Sequence, residues 1–299
     1  MDVSIVVNTR DRPDRLRLLL SSLQQQRNLP GAMEVVVVDD GSQTDLAPAL
    51  EEHRGLDVRL VRQPPLGYTV ARNAGLRAAA GEVILCLDDD VLFDEELVAT
   101  HLSTHLDTPS AIVVGDRFNT YLSNLDTREN RARLNAALRG DWGPLNRRSR
   151  RDYYAAQTLK LFDRHPHALP APWLCFVNRN VSFRRADALD LGGYDEGFVR
   201  WGVDDIELGL RMHHAGAHYH YRAEARVYHL ETPLPPGKLD ALRVSLTYFA
   251  EKHRGVEPAA FRSFVFGKLS LEELCASVQE RRLVSFEQRM GLTFFHTRR

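Results

Sequence analysis

The chain has 299 residues, 43% of them hydrophobic, enough to bury the core of one large α/β domain or of one domain with a helical appendage. Its 39 Lys and Arg nearly balance 40 Asp and Glu, and the formal net charge of −1 argues against a general nucleic-acid binder. Three widely spaced cysteines without a CxxC pair (Cys86, Cys175, Cys275), a strand-like run directly after Asp2 and no apolar run of membrane-spanning length together read as a cytoplasmic protein with no transmembrane segment.

Residues 3–7 (VSIVV) form the first apolar run. Asp11 is then placed to cap a helix, with Pro13 near its first turn and Leu16, Leu19, Leu20 and Leu23 at i, i+3, i+4 and i+7. A second strand, 34–38, ends in Asp39-Asp40-Gly41-Ser42, and a third is expected at 58–61. Residues 67–75 (GYTVARNAG) open an alanine-rich helix that stops at Gly81. Next come residues 83–90, VILCLDDD. Five consecutive apolar residues read as a strand buried on both faces of a parallel sheet, and it ends abruptly in Asp88, Asp89 and Asp90. Three adjacent carboxylates at the mouth of a buried sheet repel one another and lose hydration; a divalent cation held by oxygen ligands resolves this most simply, and a solvated acidic turn capping the next helix is the plain alternative. Strands alternating with helices imply βαβ units and a mainly parallel sheet, in which ligands bind at the carboxyl ends of the strands.

With these residues in view, the chain resembles a family 2 glycosyltransferase of the GT-A fold. VSIVVNTRDR is similar to that family's opening strand and loop, VVVVDDGS to its nucleoside-binding strand end, and ARNAGLRAAAGEVILCLDDD to its Arg-bearing helix and DxD region. The resemblance implies a Rossmann-like, mainly parallel central sheet flanked by helices. It also implies metal-dependent transfer of a sugar from a nucleoside diphosphate sugar to an acceptor hydroxyl or amine, with UDP favoured over dTDP and GDP. Carried onto this sequence, Thr9, Arg10, Asp39 and Arg72 hold the nucleotide, and Asp88 or Asp89 holds the ribose or a metal-bound water. Asp90 is the first metal ligand.

Farther on, Asp94 is expected to cap a helix carrying Glu95 and Glu96 in its first turn, and 111–115 reads as a strand. Residues 116–172 form an irregular insertion with helices expected at 129–138 and 152–164, assigned to acceptor recognition. Its basic stretch, RENRARLNAALRGDWGPLNRRSRR (128–151), reads as a solvated loop face or the seat of a local anionic partner. Residues 173–185 return to strand character. Arg179-Asn180-Val181-Ser182 stands where family members usually carry Gly-Asn-x-Ser. WGVDDIEL (201–208) resembles the acidic motif of galactosyltransferase-like C-terminal segments, which implies Asp205 as catalytic base for a single displacement with inversion. Trp173, Trp201 and Asp204 are then assigned to the acceptor. In VYHLE (227–231), His229 matches a metal-binding histidine, and the mixed oxygen and imidazole set suits Mn2+ ahead of Mg2+. His213, His214, His218 and His220 crowd nearby, but their spacing fits no closed zinc site.

The chain therefore divides into a catalytic domain, 1–231 (1–115 nucleotide-binding, 116–172 insertion, 173–231 acceptor and metal part), and a helical C-terminal extension, 232–299. The extension carries apolar stripes at Leu239, Leu242, Leu246 and Phe249 and at Leu271, Leu274 and Val278. Packing on the catalytic domain is the plain reading; a homodimer surface or a membrane contact through Phe294 and Phe295 is the alternative. Two rival functions share these features: a sugar-1-phosphate nucleotidyltransferase, whose glycine-rich basic signature NTRDRPD lacks, and a catalytically inactive nucleotide-sugar or carbohydrate-binding module.

Overall fold

A computed structural model describes residues 1–165, 169–233 and 236–280. The chain opens as β1 (Val3–Thr9), α1 (Pro13–Leu23), β2 (Met33–Asp40), α2 (Ala47–Glu51), β3 (Asp57–Gln63), α3 (Tyr68–Ala78) and β4 (Val83–Asp88). The apolar runs of β1, β2 and β4 are buried, and the four leucines of the α1 stripe are fully covered. β1 pairs in parallel with both β2 and β4, so Thr9 stands opposite Asp39 and Asn8 opposite Asp88. Parallel register thus delivers both acidic strand ends to one rim. Asp11 does not cap α1: it takes a left-handed φ of 55°, and its carboxylate accepts from the backbone N–H of Gln43 and Thr44, tying the first loop to the turn after β2.

After the turn at Asp89 and Asp90 the order is β5 (Val91–Phe93), α4 (Leu97–Asp107), β6 (Ala111–Thr120), α5 (Arg128–Leu138), α6 (Gly143–Asn146), β7 (Ser149–Arg151), α7 (Tyr153–Thr158) and α8 (Lys160–Arg164). Asp94 sits before α4 and accepts from the N–H of Glu96. A 3-10 turn (Pro172–Cys175), β8 (Asn180–Arg184), α9 (Arg185–Asp190), α10 (Asp204–His214) and β9 (His218–Leu230) complete the sheet layer. The sheet order is β3-β2-β1-β4-β8-β6-β9-β5, with β7 on β6. Parallel pairing joins β3, β2, β1 and β4, as the alternating pattern leads one to expect, and recurs at β6·β9; β8 is antiparallel to β4 and β6, as β5 is to β9 and β7 to β6. The second half of the sheet is therefore mixed. The boundary expected after Gly115 falls inside β6, at a bulge between Gly115 and Asp116.

That bulge is filled from below. The Asn180 amide donates to the carbonyls of Asp116 and Ala225, and a Cβ on Gly115 would collide with that amide. The Asn180 carbonyl oxygen lies 2.9 Å from His101 Nε2, while Ser182 Oγ is 2.9 Å from both His101 Nδ1 and His105 Nε2. The Asn-x-Ser pair thus stitches α4 to the sheet. Burial pushes the His101 imidazole down to about 4 and the His105 imidazole down to about 3.

The extension begins with α11 (Lys238–Lys252), α12 (Val256–Val265) and α13 (Leu271–Glu280). Leu242, Leu246, Phe249, Leu271 and Leu274 are buried in the same core cluster as the α10 apolar face, so these stripes pack on the body of the preceding residues; Leu239 stays exposed. Ser245 Oγ donates to the carbonyl of Arg200 at 2.9 Å, an approach that leaves no room for a side chain at Gly202. Glu207, fully buried on α10, receives Lys252 at 2.8 Å from the end of α11 and His253 at 2.7 Å from just beyond it, together with Arg211. Phe294 and Phe295 lie outside the described residues. Residues 173–176 form no strand: Trp173, Leu174, Cys175 and Phe176 are all fully buried, which the two-faced alternation of a strand does not allow, and Trp173 packs edge-on against Phe249 and Phe261. No helix among the described residues is long and apolar enough to cross a membrane.

Two measurements follow from this core. Because His101 and His105 bind protons more weakly folded than unfolded, stability is full above about pH 6.5 and falls as pH drops toward the folded values, by about 2 kcal/mol per imidazole at pH 5. NMR titration should accordingly show both rings neutral at pH 5.5; a ring protonating near 6.5 would contradict the buried network. Trp173→Ala should cost about 3–5 kcal/mol in chemical denaturation. A cost near zero would remove Trp173 from the core.

Candidate functional site

The three acids at the end of β4 diverge. Asp88 stays partly exposed and accepts from Arg179 Nε at 3.3 Å. Asp89 turns inward, where the Thr9 hydroxyl donates to it at 2.7 Å and Arg12 approaches at 3.3 Å. Asp90 receives Arg12 at 2.9 Å and Arg15 at 3.4 Å, and its other oxygen lies 3.0 Å from His229 Nε2. Burial and the neighbouring Asp90 raise Asp89 to about 7. Burial acts the same way on Asp90, but His229 and Arg12 outweigh it and hold that carboxyl below the ordinary range. Arginines therefore supply much of the positive charge that the acidic triplet demands.

His229 reaches Asp90 because β5 pairs antiparallel with β9, placing Val91 opposite His229, and because the Leu230 N–H donates to the Asp90 carbonyl at 2.8 Å. Its Nδ1 is 2.9 Å from Glu231, which orients the ring. Burial and Arg179 disfavour a charged ring, yet Asp90 and Glu231 raise its proton affinity. Ligand atoms of Asp88, Asp90 and His229 all lie within 4.8 Å of one another. Two carboxylates and an imidazole are a donor set of the kind a divalent transition metal takes, and drawing these atoms from within 4.8 Å onto one cation needs only small side-chain shifts.

A cleft of about 1680 Å³ opens over this rim. Thr9, Arg10, Arg72, Asp88, Asp89, Asp90, Trp201, Asp204, Asp205 and His229 all stand on its wall, which is how the parallel strand ends, the α3 face and the α10 N-terminus meet. Two expected site residues do not. Trp173 is in the core. Asp39 lies beneath the turn, accepting from the Ser42 N–H at 2.8 Å, and Asp40 takes the wall position while accepting from the Gly67 N–H.

Arg72 and Asp204, expected to serve nucleotide and acceptor separately, form an ion pair with each other. The Asp205 carboxylate accepts from the backbone N–H of Asn178 at 3.2 Å and from its own helix at Ile206. Burial raises its pKa, with Arg72 as the main opposing influence. Raised proton affinity at a helix start suits a carboxylate that takes up a proton.

Sequence reasoning passed over four cleft residues. Arg12 and Arg15 lie three apart at the start of α1, a basic spacing beside the first strand end that was visible. Arg179 was noted only as a departure from glycine; it bridges Asp88, the Asn119 side chain at 3.4 Å and Asp152 at 3.8 Å. Lys238, at the start of α11, lies 4.1 Å over the Trp201 ring. No local pattern marks it.

Comparison with known proteins places this geometry in context. The domain model described as glycosyl transferase family 2 matches residues 4–176, and the one described as N-terminal domain of galactosyltransferase matches 170–233. Among curated relatives, an uncharacterized glycosyltransferase of Bacillus subtilis, YfnE, is 27% identical over 86% of this chain and 71% of its own length. Validoxylamine A glucosyltransferase of Streptomyces hygroscopicus subsp. limoneus is 30% identical over 91% of this chain and 62% of its own length. In fold, the chain is similar to S. aureus TarS 1–349 in complex with UDP-GlcNAc (TM-score 0.60, 16% identity, 93% of this chain and 79% of that one). It is also similar to the mannosyltransferase PcManGT of Pyrobaculum calidifontis in complex with GDP-Man and Mn2+ (TM-score 0.52, 17% identity, 88% and 78%).

Proposed function

Since this chain belongs to glycosyl transferase family 2 and is a transferase enzyme of GT-A-like fold, we propose that it moves a sugar from a nucleoside diphosphate sugar, UDP favoured, to an acceptor hydroxyl or amine with inversion. One observation carries the reading: Asp88, Asp90 and His229 converge at the rim of the cleft whose wall also carries Asp205. The nucleoside lies at Thr9, Arg10 and the turn that holds Asp39 and Asp40. Asp88, Asp90 and His229 are the residues that would hold Mn2+, or Mg2+, which neutralises charge on the departing diphosphate. Arg12 and Arg15 keep Asp90 ionised and oriented for that task. Arg179 and Lys238 add positive charge to the same end of the cleft.

In the transfer, the anomeric carbon–oxygen bond breaks and its electron pair leaves with the diphosphate. The acceptor oxygen or nitrogen forms the new bond from the opposite face, and its proton passes to Asp205. The backbone N–H of Asn178 holds that carboxylate in place, while Arg72 engages its neighbour Asp204 and leaves Asp205 as the principal base. Residues 116–172, whose β6–β7 pairing forms one cleft wall, take the acceptor.

Two experiments test this. Asp90→Ala and His229→Ala should each weaken UDP binding in manganese and change it little in EDTA, because both ligands act through the metal; equal losses in EDTA would refute the shared site. Asp205→Asn should lower kcat by about 10²–10⁴ with donor affinity nearly unchanged. A product that retains the donor's anomeric configuration would rule out the single displacement, whatever the variant does.

A further inference from the structure

The cleft, at about 1680 Å³, exceeds the roughly 300–1,000 Å³ of a pocket for one small ligand and has room for a second substrate. Ten Arg or Lys side chains line it. Among the described residues, seven of these have a carboxylate within 4.0 Å; Arg148, Arg150 and Lys238 do not. Lys238 belongs to the acidic end, where it stacks on Trp201. Arg148 and Arg150 stand elsewhere, on the wall built by the insertion.

Their positions are fixed by backbone rather than by loop chance. β7 pairs antiparallel with β6, placing Arg150 opposite Asn119, and the Tyr121 N–H donates to the Arg148 carbonyl at 3.0 Å. Between the two arginines, Ser149 is buried, with its Oγ 2.8 Å from Thr120 Oγ1 and 2.9 Å from the Leu145 carbonyl. Ser149 faces inward on β7, while Arg148, in the turn just before the strand, and Arg150, on it, are both exposed and both line the cleft. The Arg150 guanidinium donates to the Ser149 carbonyl at 2.9 Å, and with no carboxylate within 4.0 Å of either arginine among the described residues, both keep donors for an anion entering the cleft. Tyr121, 55% exposed, and Tyr153, 40% exposed, stand on the same wall, and exposed phenol rings suit the apolar face of a sugar.

We propose that the acceptor is anionic: a sugar or polyol carrying a phosphate or carboxylate, which Arg148 and Arg150 grip while Tyr121 supports the ring. A guanidinium pair offers forked donors matched to either anion. This rests on the transferase reading above, in which the acid-rich rim is reserved for the donor.

The test is calorimetric titration of glucose, glucose 6-phosphate and glucuronate onto the full chain, with and without UDP and manganese. Either anionic sugar, or both, should bind at least about tenfold more tightly than glucose, and Arg148→Gln/Arg150→Gln should erase that difference while UDP affinity stays unchanged. Preference for the phosphate or the carboxylate arm identifies which anion the wall takes. Equal affinity for all three sugars, a preference that survives the double variant, or a variant that loses UDP affinity in parallel would each overturn the proposal. Absence of UDP binding by the unaltered chain would instead strike the transferase reading, and the titrations without UDP would still decide the anion site. Both positions are exposed and make no side-chain ion pair, so the variant folds; circular dichroism checks it.

Discussion

Three consecutive carboxylates at the end of a buried strand are tolerable only if each goes to a different partner, and the site is built around that division. Asp89 is drawn inward by the Thr9 hydroxyl, Asp90 lies between His229 and two arginines, Arg12 just before α1 and Arg15 on it, and Asp88 remains at the surface beside Arg179. Full charge on all three would be prohibitive at this depth, and the raised proton affinity of Asp89 shows where the strain is taken up. What remains is one ionised, oriented carboxylate, one accessible carboxylate and an imidazole on a common rim. Those three groups could hold a divalent cation.

The rim holds its shape because the mixed half of the sheet is pinned by buried polar groups. Asn180 closes the gap at the β6 bulge and, with Ser182, engages two imidazoles of α4. Each unpaired group at full burial costs roughly 1–3 kcal/mol, and in this network His105 Nδ1 is left without a partner. On the other side, Glu207 gathers cations from α10 and α11, so the same helix that presents Asp205 to the cleft anchors the extension. Asp205 and the extension are thus one mechanical unit, and the extension returns Lys238 to the cleft.

The charge within the cleft is partitioned rather than uniformly basic or acidic. Carboxylates and their paired arginines gather at the carboxyl ends of β1 and β4, whereas Arg148, just before β7, and Arg150, on it, stand apart. An acid-rich rim needs added positive charge to receive an anion; the stretch of wall carrying Arg148 and Arg150, which have no carboxylate within 4.0 Å among the described residues, does not.

Apolar runs and leucine periodicity by themselves determined β1, β2, β4, the α1 stripe and the parallel half of the sheet, because those patterns report which face of an element is buried. Strand-end acids likewise placed Asp88, Asp89 and Asp90 on a rim, and only a motif resemblance, not local pattern, pointed to His229. The tertiary structure alone decided that Trp173 is core, that Asp39 lies behind Asp40, that Arg72 meets Asp204, and that Arg12, Arg15 and Arg179 neutralise the triplet. It also decided that β9 lies beside β5, which brings His229 to Asp90. Local spacing encodes the face a residue presents; which faces and strand ends meet depends on sheet order, and that order is set by long-range pairing that leaves no periodic mark in the chain.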